Sequence, residues 1–169
     1  MTRPDTPILV DASPLIGLAR IERLDLLAMF PLPIYVTRAV WREVADDPGR
    51  PGASSLIQAK IQGVLSVIDA GDEEAYGELD AGENSTLSAA AQLGAFVIID
   101  ERKARERILR DAALRTAIGA PLTTIGLVIR AKHQGLVPAV RPVLDELRRE
   151  RFWISQADYE DALHIAGEL

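Results

Sequence analysis

The chain has 169 residues, which suits one domain, because a single core stops growing near ~250 residues. It carries 19 Lys and Arg against 25 Asp and Glu, a net charge of -6, so overall electrostatics do not indicate nucleic-acid binding, although a local basic face could still provide it. Since there is no cysteine, disulfides, thiolate zinc sites and cysteine nucleophiles are excluded.

The N-terminus and the apolar composition indicate a soluble α/β protein. The apolar run before Asp11 has four residues, far fewer than a signal-peptide core or an ~18-residue membrane span. Hydrophobic residues make up 48% of the chain and aromatic residues only 5%, which is typical of helices packed on a parallel sheet. We therefore expect a cytoplasmic protein of the α/β class.

Short apolar runs alternate with helical patterns along the whole chain. The predicted strands are 8–10, 34–36, 64–68 and 95–99, with a possible fifth at 121–124. The predicted helices are 14–29 with a division near Arg20, 38–45, 54–62, 79–94 ending at Gly94, 101–114, 125–134, 138–150 and 156–167. Ser13 before Pro14 predicts an N-cap. This alternation implies right-handed crossovers and a parallel sheet with helices on both faces.

Carboxylates follow two of the predicted strands. Asp11 ends the first strand and Asp100 the fourth, at the sheet edge where parallel folds bind ligands. If these strands are neighbours, both acids face one crevice. Glu43 lies at the rim of an inward helical stripe, and Glu83 begins a helix directed at the same edge. Four acids can therefore converge.

Such a cluster predicts a divalent metal site. Like charges brought together raise one another's pKa and destabilise the fold unless cations neutralise them. An oxygen-only donor set without His or Cys suits Mg²⁺ or Mn²⁺. These ions lower the pKa of bound water and clamp phosphodiesters, so the pattern indicates phosphodiester hydrolysis.

Each acid also has a purely structural interpretation. Asp11 and Asp100 could cap the helices that follow their strands. Asp80 and Glu83 have the spacing of a capping box, and Glu43 could be a solvated helix residue. The constellation, rather than any single member, carries the prediction.

Four segments together resemble one family. "LVDASPLIGLARIERLDLL", "VTRAVWREV", "LDAGENSTLSAAAQLGAFVIIDERKAR" and "GLVPAVRPVLDELRRERFWIS" are similar to PIN-like domains of the VapC-related toxin type, over nearly the whole chain. The resemblance implies a three-layer α/β/α fold with a central, mainly parallel sheet of four to five strands, as one domain over 1–169. It also implies Mg²⁺ or Mn²⁺, RNA cleavage, a homodimer and, for many members, a cognate antitoxin.

By position, the resemblance assigns the metal ligands. Asp11, Glu43, Glu83 and Asp100 correspond in that order to the family's four catalytic, metal-binding acids. Ser13 corresponds to a hydroxyl residue beside the first acid, with helix capping as its alternative, and Glu101 is a possible accessory ligand or a favourable charge at a helix start. Two departures stand out: the third acid is usually Asp, and a Thr usually lies a few residues before the fourth acid, where this chain has Ile98 and Ile99.

A basic helix face follows Asp100. Lys103, Arg107 and Arg110 lie three and four residues apart, a spacing that could hold an RNA backbone. The alternative is a solvated helix with a Glu101–Arg105 pair and an Arg102–Glu106 pair.

The aromatic residues and the C-terminal helices are expected mainly to pack in the core or in an interface. Trp41, Phe152, Trp153 and Tyr159 are expected in the core or a dimer interface, with base stacking as the alternative. The segment from about 138 to 169 is expected to pack on the core or on a second subunit.

The predicted function is a metal-dependent endoribonuclease, the toxin of a type II toxin–antitoxin pair. Two alternatives remain, a housekeeping ribonuclease and a PIN-like protein-binding module without catalysis.

Overall fold

The computed structural model describes residues 6–169. The strands are β1 (Ile8–Val10), β2 (Ile34–Thr37), β3 (Ser66–Ile68) and β4 (Phe96–Ile98). The helices are α1 (Ala12–Arg20), a 3₁₀ helix (Leu24–Met29), α2 (Arg38–Ala45), α3 (Ala53–Ile61), α4 (Ala81–Leu93), α5 (Arg102–Arg110), α6 (Ala112–Ile118), α7 (Thr124–His133), α8 (Arg141–Arg149) and α9 (Gln156–Ile165).

The four strands form one parallel sheet in the order β3-β2-β1-β4. Ile8 of β1 pairs with Ile34 of β2 on one side and with Phe96 of β4 on the other. The chain therefore builds outward from β1 to β3 and then crosses to the opposite side of β1. Strand order reverses between β1 and β4, which is where open parallel sheets bind ligands.

Two hydrophobic cores lie on the two faces of this sheet. Along β1, Ile8 and Val10 belong to one core and Leu9 to the other, as expected because successive side chains of a strand point to opposite faces. The larger core receives buried residues from α1, α2, α3, α7, α8 and α9, and the smaller core from α4, α5 and α6. This confirms the predicted three-layer α/β/α fold.

The start of the first helix differs from the prediction. The helix begins at Ala12, with Asp11 in an extended conformation at the N-cap position, so Ser13 lies inside the first turn and the predicted Ser13 cap is wrong. Pro14 is still tolerated, because N–H groups of the first turn have no partner within the helix. The predicted division near Arg20 is confirmed, since α1 ends there and Glu22 takes a left-handed φ of 56°.

The predicted helix over 101–114 is in fact two helices. Asp111 has an extended ψ of 110° and ends α5. Its carboxylate then accepts hydrogen bonds from the N–H groups of Ala113 and Leu114, at 3.0 and 3.1 Å. A local N-cap outcompetes the continuous helical pattern here, because it satisfies the first amides of α6.

The possible fifth strand is a single bridge. Leu122 pairs in parallel with Ile98, with hydrogen bonds of 2.9 Å on either side of the bridge. It extends the sheet beyond β4 by one residue only. The connection brings the start of α7 beside the end of β4.

The C-terminal segment folds back onto the larger core. Leu144, Leu147 and Leu163 are each at most 1% exposed within it. In the part of the chain that the structure describes, no helix has both the length and the apolar composition to cross a bilayer.

Candidate active site

A cleft of about 1030 Å³ opens at the carboxyl edge of β1 and β4. The two strand ends are joined directly, because the N–H of Asp11 donates to the carbonyl of Ile98 at 3.0 Å. Acidic side chains are prominent in its lining, among them Asp11, Glu43, Asp80, Glu83 and Asp100. All four acids named from the sequence thus line one cleft, and Asp80 is among the further acids that line it.

Asp11 is the most deeply buried of these acids, with 4% of its surface exposed. Its side chain makes no cap hydrogen bond to α1, so the capping interpretation does not account for it. The hydroxyl of Thr86 on α4 donates to its Oδ1 at 3.3 Å. Burial raises the pKa of Asp11 to about 7; the Ala12 N–H opposes this rise, and the negative charges of Glu83, Asp80 and Glu43 add to it.

Asp100 is held by the first residue of α7. Thr124 donates to it twice, from its backbone N–H to Oδ1 at 2.8 Å and from its hydroxyl to Oδ2 at 2.7 Å. Burial raises the pKa of Asp100, while the bonds from Thr124 and from the Ser13 hydroxyl lower it in part. The cap of α5 is Glu101, whose side chain accepts from the Lys103 N–H, so Asp100 does not serve as that cap.

Glu43 lies on α2 and lines the cleft. Thr37 caps this helix by accepting from the Val40 N–H at 3.3 Å. Oε2 of Glu43 lies so near Gly82 that a Cβ on Gly82 would be 3.0 Å from it. Burial and the charge of Asp80 raise the pKa of Glu43. The absence of a side chain at Gly82 therefore lets the Glu43 carboxylate approach the start of α4.

Glu83 and Asp80 form the capping box that their spacing predicts. Asp80 Oδ1 accepts from the Glu83 N–H at 2.8 Å, and Glu83 Oε2 accepts from the Asp80 N–H at 3.1 Å. Burial raises the pKa of Glu83; the hydrogen bond from the Asp80 N–H opposes this rise, and the charges of Asp80, Glu101 and Glu43 add to it. Capping and a place in the cleft are therefore compatible, because the turn that is capped is itself at the edge of the cleft.

A buried polar network connects the helices that carry these acids. The hydroxyls of Thr37 and Ser85 lie 2.7 Å apart, and the Ser85 hydroxyl donates to the Gly82 carbonyl at 2.9 Å. Both hydroxyl residues are at most 1% exposed. The network links the start of α2 to the first turns of α4.

Three residues of the site were not predicted from the sequence: Asp80, Thr86 and Thr124. The spacing of Thr86, three residues after Glu83, was a usable signal, because residues three apart share a helix face. The sequence pattern around Asp80 indicates only an N-cap of α4. No local pattern connects Thr124 to Asp100.

The cations of the cleft differ from the predicted basic face. Arg102 and Arg105 of α5 line it, and Arg105 Nε donates to the Asp100 carbonyl at 3.2 Å. Arg102 also pairs with Glu106 at 2.7 Å, as the solvated-helix alternative predicted.

Lys103, Arg107 and Arg110 are not among the residues that line the cleft. Arg107 lies over the ring of Tyr76 at 4.9 Å, and Arg110 approaches Glu78 at 3.5 Å. The role of this face in RNA binding stays a prediction.

The donor chemistry of the cleft fits a hard divalent cation. The candidate ligands are all carboxylates, and burial with mutual repulsion raises the pKa of Asp11 and Glu83, a cost that a bound cation removes. Within residues 6–169, no three Asp, Glu, His or Cys side chains are already grouped as a metal site. Oε2 of Glu83 and both oxygens of Asp100 are engaged in protein hydrogen bonds, so an ion would have to draw the carboxylates together.

Comparison with known proteins identifies the family. The sequence model of the DUF3368 family, described as a PIN domain, matches residues 7–168. No curated protein and no solved structure matches the chain. PIN domains are in general nucleases, bind RNA and typically use divalent metals, in agreement with an acidic cleft at a strand-order reversal. The chain therefore belongs to the PIN-domain family.

Proposed function

We propose that the protein is a metal-dependent endoribonuclease that hydrolyses RNA phosphodiester bonds in the cytoplasm. One observation carries the proposal: Asp11 and Asp100 follow neighbouring parallel strands where strand order reverses, and both line the same cleft as Glu43 and Glu83. A cluster of acids at this edge is where a parallel fold would hold a cation and a phosphate ester.

The residues that would hold Mg²⁺ or Mn²⁺ are Asp11, Glu43, Glu83 and Asp100, with Asp80 beside them. When bound, such an ion supplies charge neutralisation for the phosphodiester and a lower pKa for water. Glu83 accepts its capping hydrogen bond through Oε2, so Oε1 is the oxygen that can turn toward an ion without opening the cap. Ser13 and Glu101 also line the cleft and would contribute accessory oxygens.

The protein groups around the acids would position the substrate. Arg105 is anchored on the Asp100 carbonyl and would pair with a non-bridging phosphate oxygen. Thr124 and Thr86 would hold the carboxylates of Asp100 and Asp11 in orientation. In the reaction, the oxygen of water bonds to phosphorus while one bridging P–O bond breaks, and the protonated leaving oxygen becomes a hydroxyl.

Cleavage of RNA by the purified protein tests this proposal. We expect cleavage that requires Mg²⁺ or Mn²⁺, stops with EDTA, and falls at least ~100-fold in Asp11→Asn and Asp100→Asn. The matched control is Asp46→Asn, which removes a carboxylate at the end of α2 that does not line the cleft. Equal cleavage by wild type and Asp100→Asn would refute the nuclease proposal.

Binding calorimetry separates a nuclease from a non-catalytic module. A nuclease is expected to take up Mn²⁺ in a manner that depends on Asp11, whereas a protein-binding module that keeps the acids for folding alone would show no such uptake. Asp46→Asn again serves as the control, because it lowers the negative charge by the same amount.

We further propose that the enzyme is the toxin of a type II toxin–antitoxin pair and acts as a homodimer. The support is the resemblance of the four motif segments to VapC-related toxins. Induced expression should arrest growth, and co-expression of a small protein encoded next to this gene should restore it. Unaffected growth with metal-dependent RNA cleavage in vitro would favour a housekeeping ribonuclease. Light scattering of the purified protein tests the dimer.

A further inference from the structure

The wall of the cleft contains an exposed tryptophan. Trp153 lies in the segment between α8 and α9 and lines the cleft, and 82% of its surface is exposed. Its neighbour Ile154 is buried in the larger core, with 7% exposed, and Phe152 packs against that core. An indole ring is a large apolar surface, and its exposure beside a polar cleft suggests a binding role.

The backbone beneath Trp153 is firmly held. The N–H of Phe152 donates to the Leu147 carbonyl at 2.9 Å. Arg148 Nη2 donates to the carbonyls of Ile154 and Ser155, at 3.2 and 3.3 Å. These bonds fix both sides of Trp153, so its ring stands on a rigid support.

The ring of Phe152 also fixes this segment against α1. A Cβ on Gly17 would lie 2.8 Å from Cδ2 of Phe152, closer than side-chain atoms approach. Only glycine lets the ring lie here. Gly17 and Phe152 both line the cleft, so the contact joins the support of Trp153 to the helix that follows Asp11.

Two arginines, Arg20 and Arg151, line the same cleft. Among the described residues, no ion pair includes Arg20 or Arg151. Arg20 Nη1 donates to the Glu150 carbonyl at 3.2 Å, and its Nε has no hydrogen-bond partner in that part of the chain. Arg151 takes a left-handed φ of 66°, a strained conformation for a residue other than glycine. The acids Glu150, Asp158 and Asp161 also line the cleft, and Asp158 is hydrogen-bonded to the Ser155 hydroxyl at 2.6 Å.

We propose that Trp153 is a base-stacking residue for an unpaired nucleotide of the RNA substrate, and that Arg20 and Arg151 hold the phosphate next to that nucleotide. The inference rests on the proposed function and names a subsite of the same cleft. Stacking on an indole needs a free base face, so the subsite selects single-stranded RNA.

RNA is favoured over a protein partner as the occupant of this surface. Trp153, Arg20 and Arg151 line the same cleft as Asp11 and Asp100, so one strand bound there can contact both groups of residues. The cleft volume, about 1030 Å³, is at the upper limit of ~300 to 1,000 Å³ for small-ligand sites and suits several nucleotides. Aromatic rings combined with cations are the usual surface for single strands.

Indole fluorescence gives a direct test that needs no cleavage. The chain has two tryptophans, so Trp41→Phe leaves Trp153 as the only indole, and Asp11→Asn prevents hydrolysis. This double variant is titrated in Mg²⁺ with an unstructured RNA octamer and with a duplex of the same sequence. We expect saturable quenching by the octamer and far weaker binding of the duplex.

Substitutions then test the stacking by fluorescence anisotropy of labelled octamer, again in the Asp11→Asn background. Trp153→Ala should weaken binding about 5- to 150-fold, and Trp153→Phe should restore part of the loss. Arg20→Gln and Arg151→Gln should each weaken binding and reduce its salt dependence. The control is Ile61→Ala, which removes an apolar side chain that is 73% exposed and does not line the cleft.

The outcomes distinguish this inference from the nuclease proposal. If the wild-type enzyme cleaves RNA and Trp153→Ala leaves both octamer binding and KM unchanged, the subsite is refuted and the nuclease stands. If Trp153→Ala weakens octamer binding in a protein that cleaves nothing, the subsite stands without the nuclease. If Trp153→Ala instead converts a dimer to a monomer without affecting RNA binding by either species, Trp153 is a subunit contact and the inference is overturned.

Discussion

Thr124 donates a hydrogen bond to each carboxylate oxygen of Asp100. Its backbone N–H donates to Oδ1 at 2.8 Å, and its hydroxyl donates to Oδ2 at 2.7 Å. The two residues are 24 positions apart, and the single bridge between Leu122 and Ile98 brings them together. Hydrogen bonds to a carboxylate at the start of a helix favour its charged form. The start of α7 thus favours the charged form of Asp100 and opposes burial, which raises its pKa.

The Thr124 hydroxyl should be required for this arrangement. Thr124→Val keeps the shape of the side chain and removes the donor, so we expect a loss of ~1–3 kcal/mol in the free energy of unfolding. Thr124→Ser keeps the donor and should lose less. Urea denaturation of the metal-free variants measures both, and equal losses would show that the hydroxyl contributes nothing to stability.

Gly82 should control the position of Glu43. In Gly82→Ala the new Cβ would lie 3.0 Å from Glu43 Oε2 and 3.4 Å from Asp80 Oδ1, so the Glu43 carboxylate must shift. We expect the affinity for Mn²⁺ to fall ~10- to 100-fold in calorimetry, the range seen when groups supporting a metal ligand are changed.

The control for this prediction is Gly49→Ala, in an exposed loop outside the cleft. Gly82→Ala should fold as well as this control, because alanine suits the first turn of a helix. Unchanged Mn²⁺ affinity would remove Glu43 from the proposed ligands.

Asp11 should make the metal-free protein less stable as pH rises. Its pKa is about 7 in the folded protein against an ordinary 3.8, so the folded state holds the proton more tightly than the unfolded state. The stabilisation is complete below about pH 3.8 and is lost as pH rises through about 7, on the order of 4 kcal/mol at most. In EDTA at pH 8, Asp11→Asn should therefore unfold at a higher temperature than wild type.

The same comparison at pH 4 is the internal control, because Asp11 then carries its proton and the difference should shrink. Mg²⁺ at pH 8 should raise the melting temperature of wild type more than that of Asp11→Asn. A wild type that melts above Asp11→Asn in EDTA at pH 8 would contradict the buried position of this acid.

Glu168 should have the opposite pH dependence. Its side chain, 13% exposed, accepts from Lys132 Nζ at 2.8 Å and from the N–H groups of Val140 and Arg141 at 2.6 and 3.0 Å. Burial alone would raise its pKa, but these bonds outweigh burial and lower the pKa to about 2. The stabilisation is thus present above about pH 4.5 and is lost as pH falls toward 2.

We expect Glu168→Gln to lower the free energy of unfolding at pH 7 by ~1–3 kcal/mol, because the amide keeps an acceptor but loses the charge. Glu74→Gln, at an exposed position, is the control. Urea denaturation at pH 7 and pH 3 should show a smaller effect of Glu168→Gln at the lower pH, and an equal effect at both would contradict the lowered pKa.

Substitutions at Arg105 and Lys103 test which side of α5 contacts RNA: the side of Arg105, which lines the cleft, or the predicted outer face of Lys103. Arg105→Gln removes the guanidinium inside the cleft and should lower kcat/KM for RNA cleavage at least ~10-fold, since it would contact the scissile phosphate. Lys103→Gln tests the predicted outer face and should reduce the salt slope of RNA binding by ~0.7 if Lys103 neutralises one phosphate. A larger loss in kcat/KM for Lys103→Gln would place the RNA on the outer face.

The sequence was a sound guide where the signal is local. The apolar runs that end in Asp11 and Asp100 predict buried parallel strands, because a strand covered on both faces has no polar alternation. The box of Asp80 and Glu83 was predicted for a similar reason, since its two hydrogen bonds join residues three apart.

Local patterns failed where two local signals compete. Ser13 and Pro14 suggest a helix start, yet the backbone turns helical one residue after Asp11, because β1 ends there in its hydrogen bond to Ile98. The pattern over 101–114 is helical throughout, but the Asp111 cap interrupts it. The hydrophobic period of a sequence shows which face of a helix is apolar, but it does not show which backbone N–H groups are capped by a side chain.

The sequence by itself determined the fold class and placed Asp11 and Asp100 after strands and Glu83 at a helix start, because hydrophobic period and capping chemistry act over a few residues. Only the tertiary structure decided that β1 and β4 are neighbours, that Thr124 holds Asp100, and that Arg105 rather than Lys103 lines the cleft. These relationships join residues far apart in the chain, and they depend on the order of the strands and the rotation of each helix. Both follow from how the two cores pack around the sheet, which no local window of sequence contains.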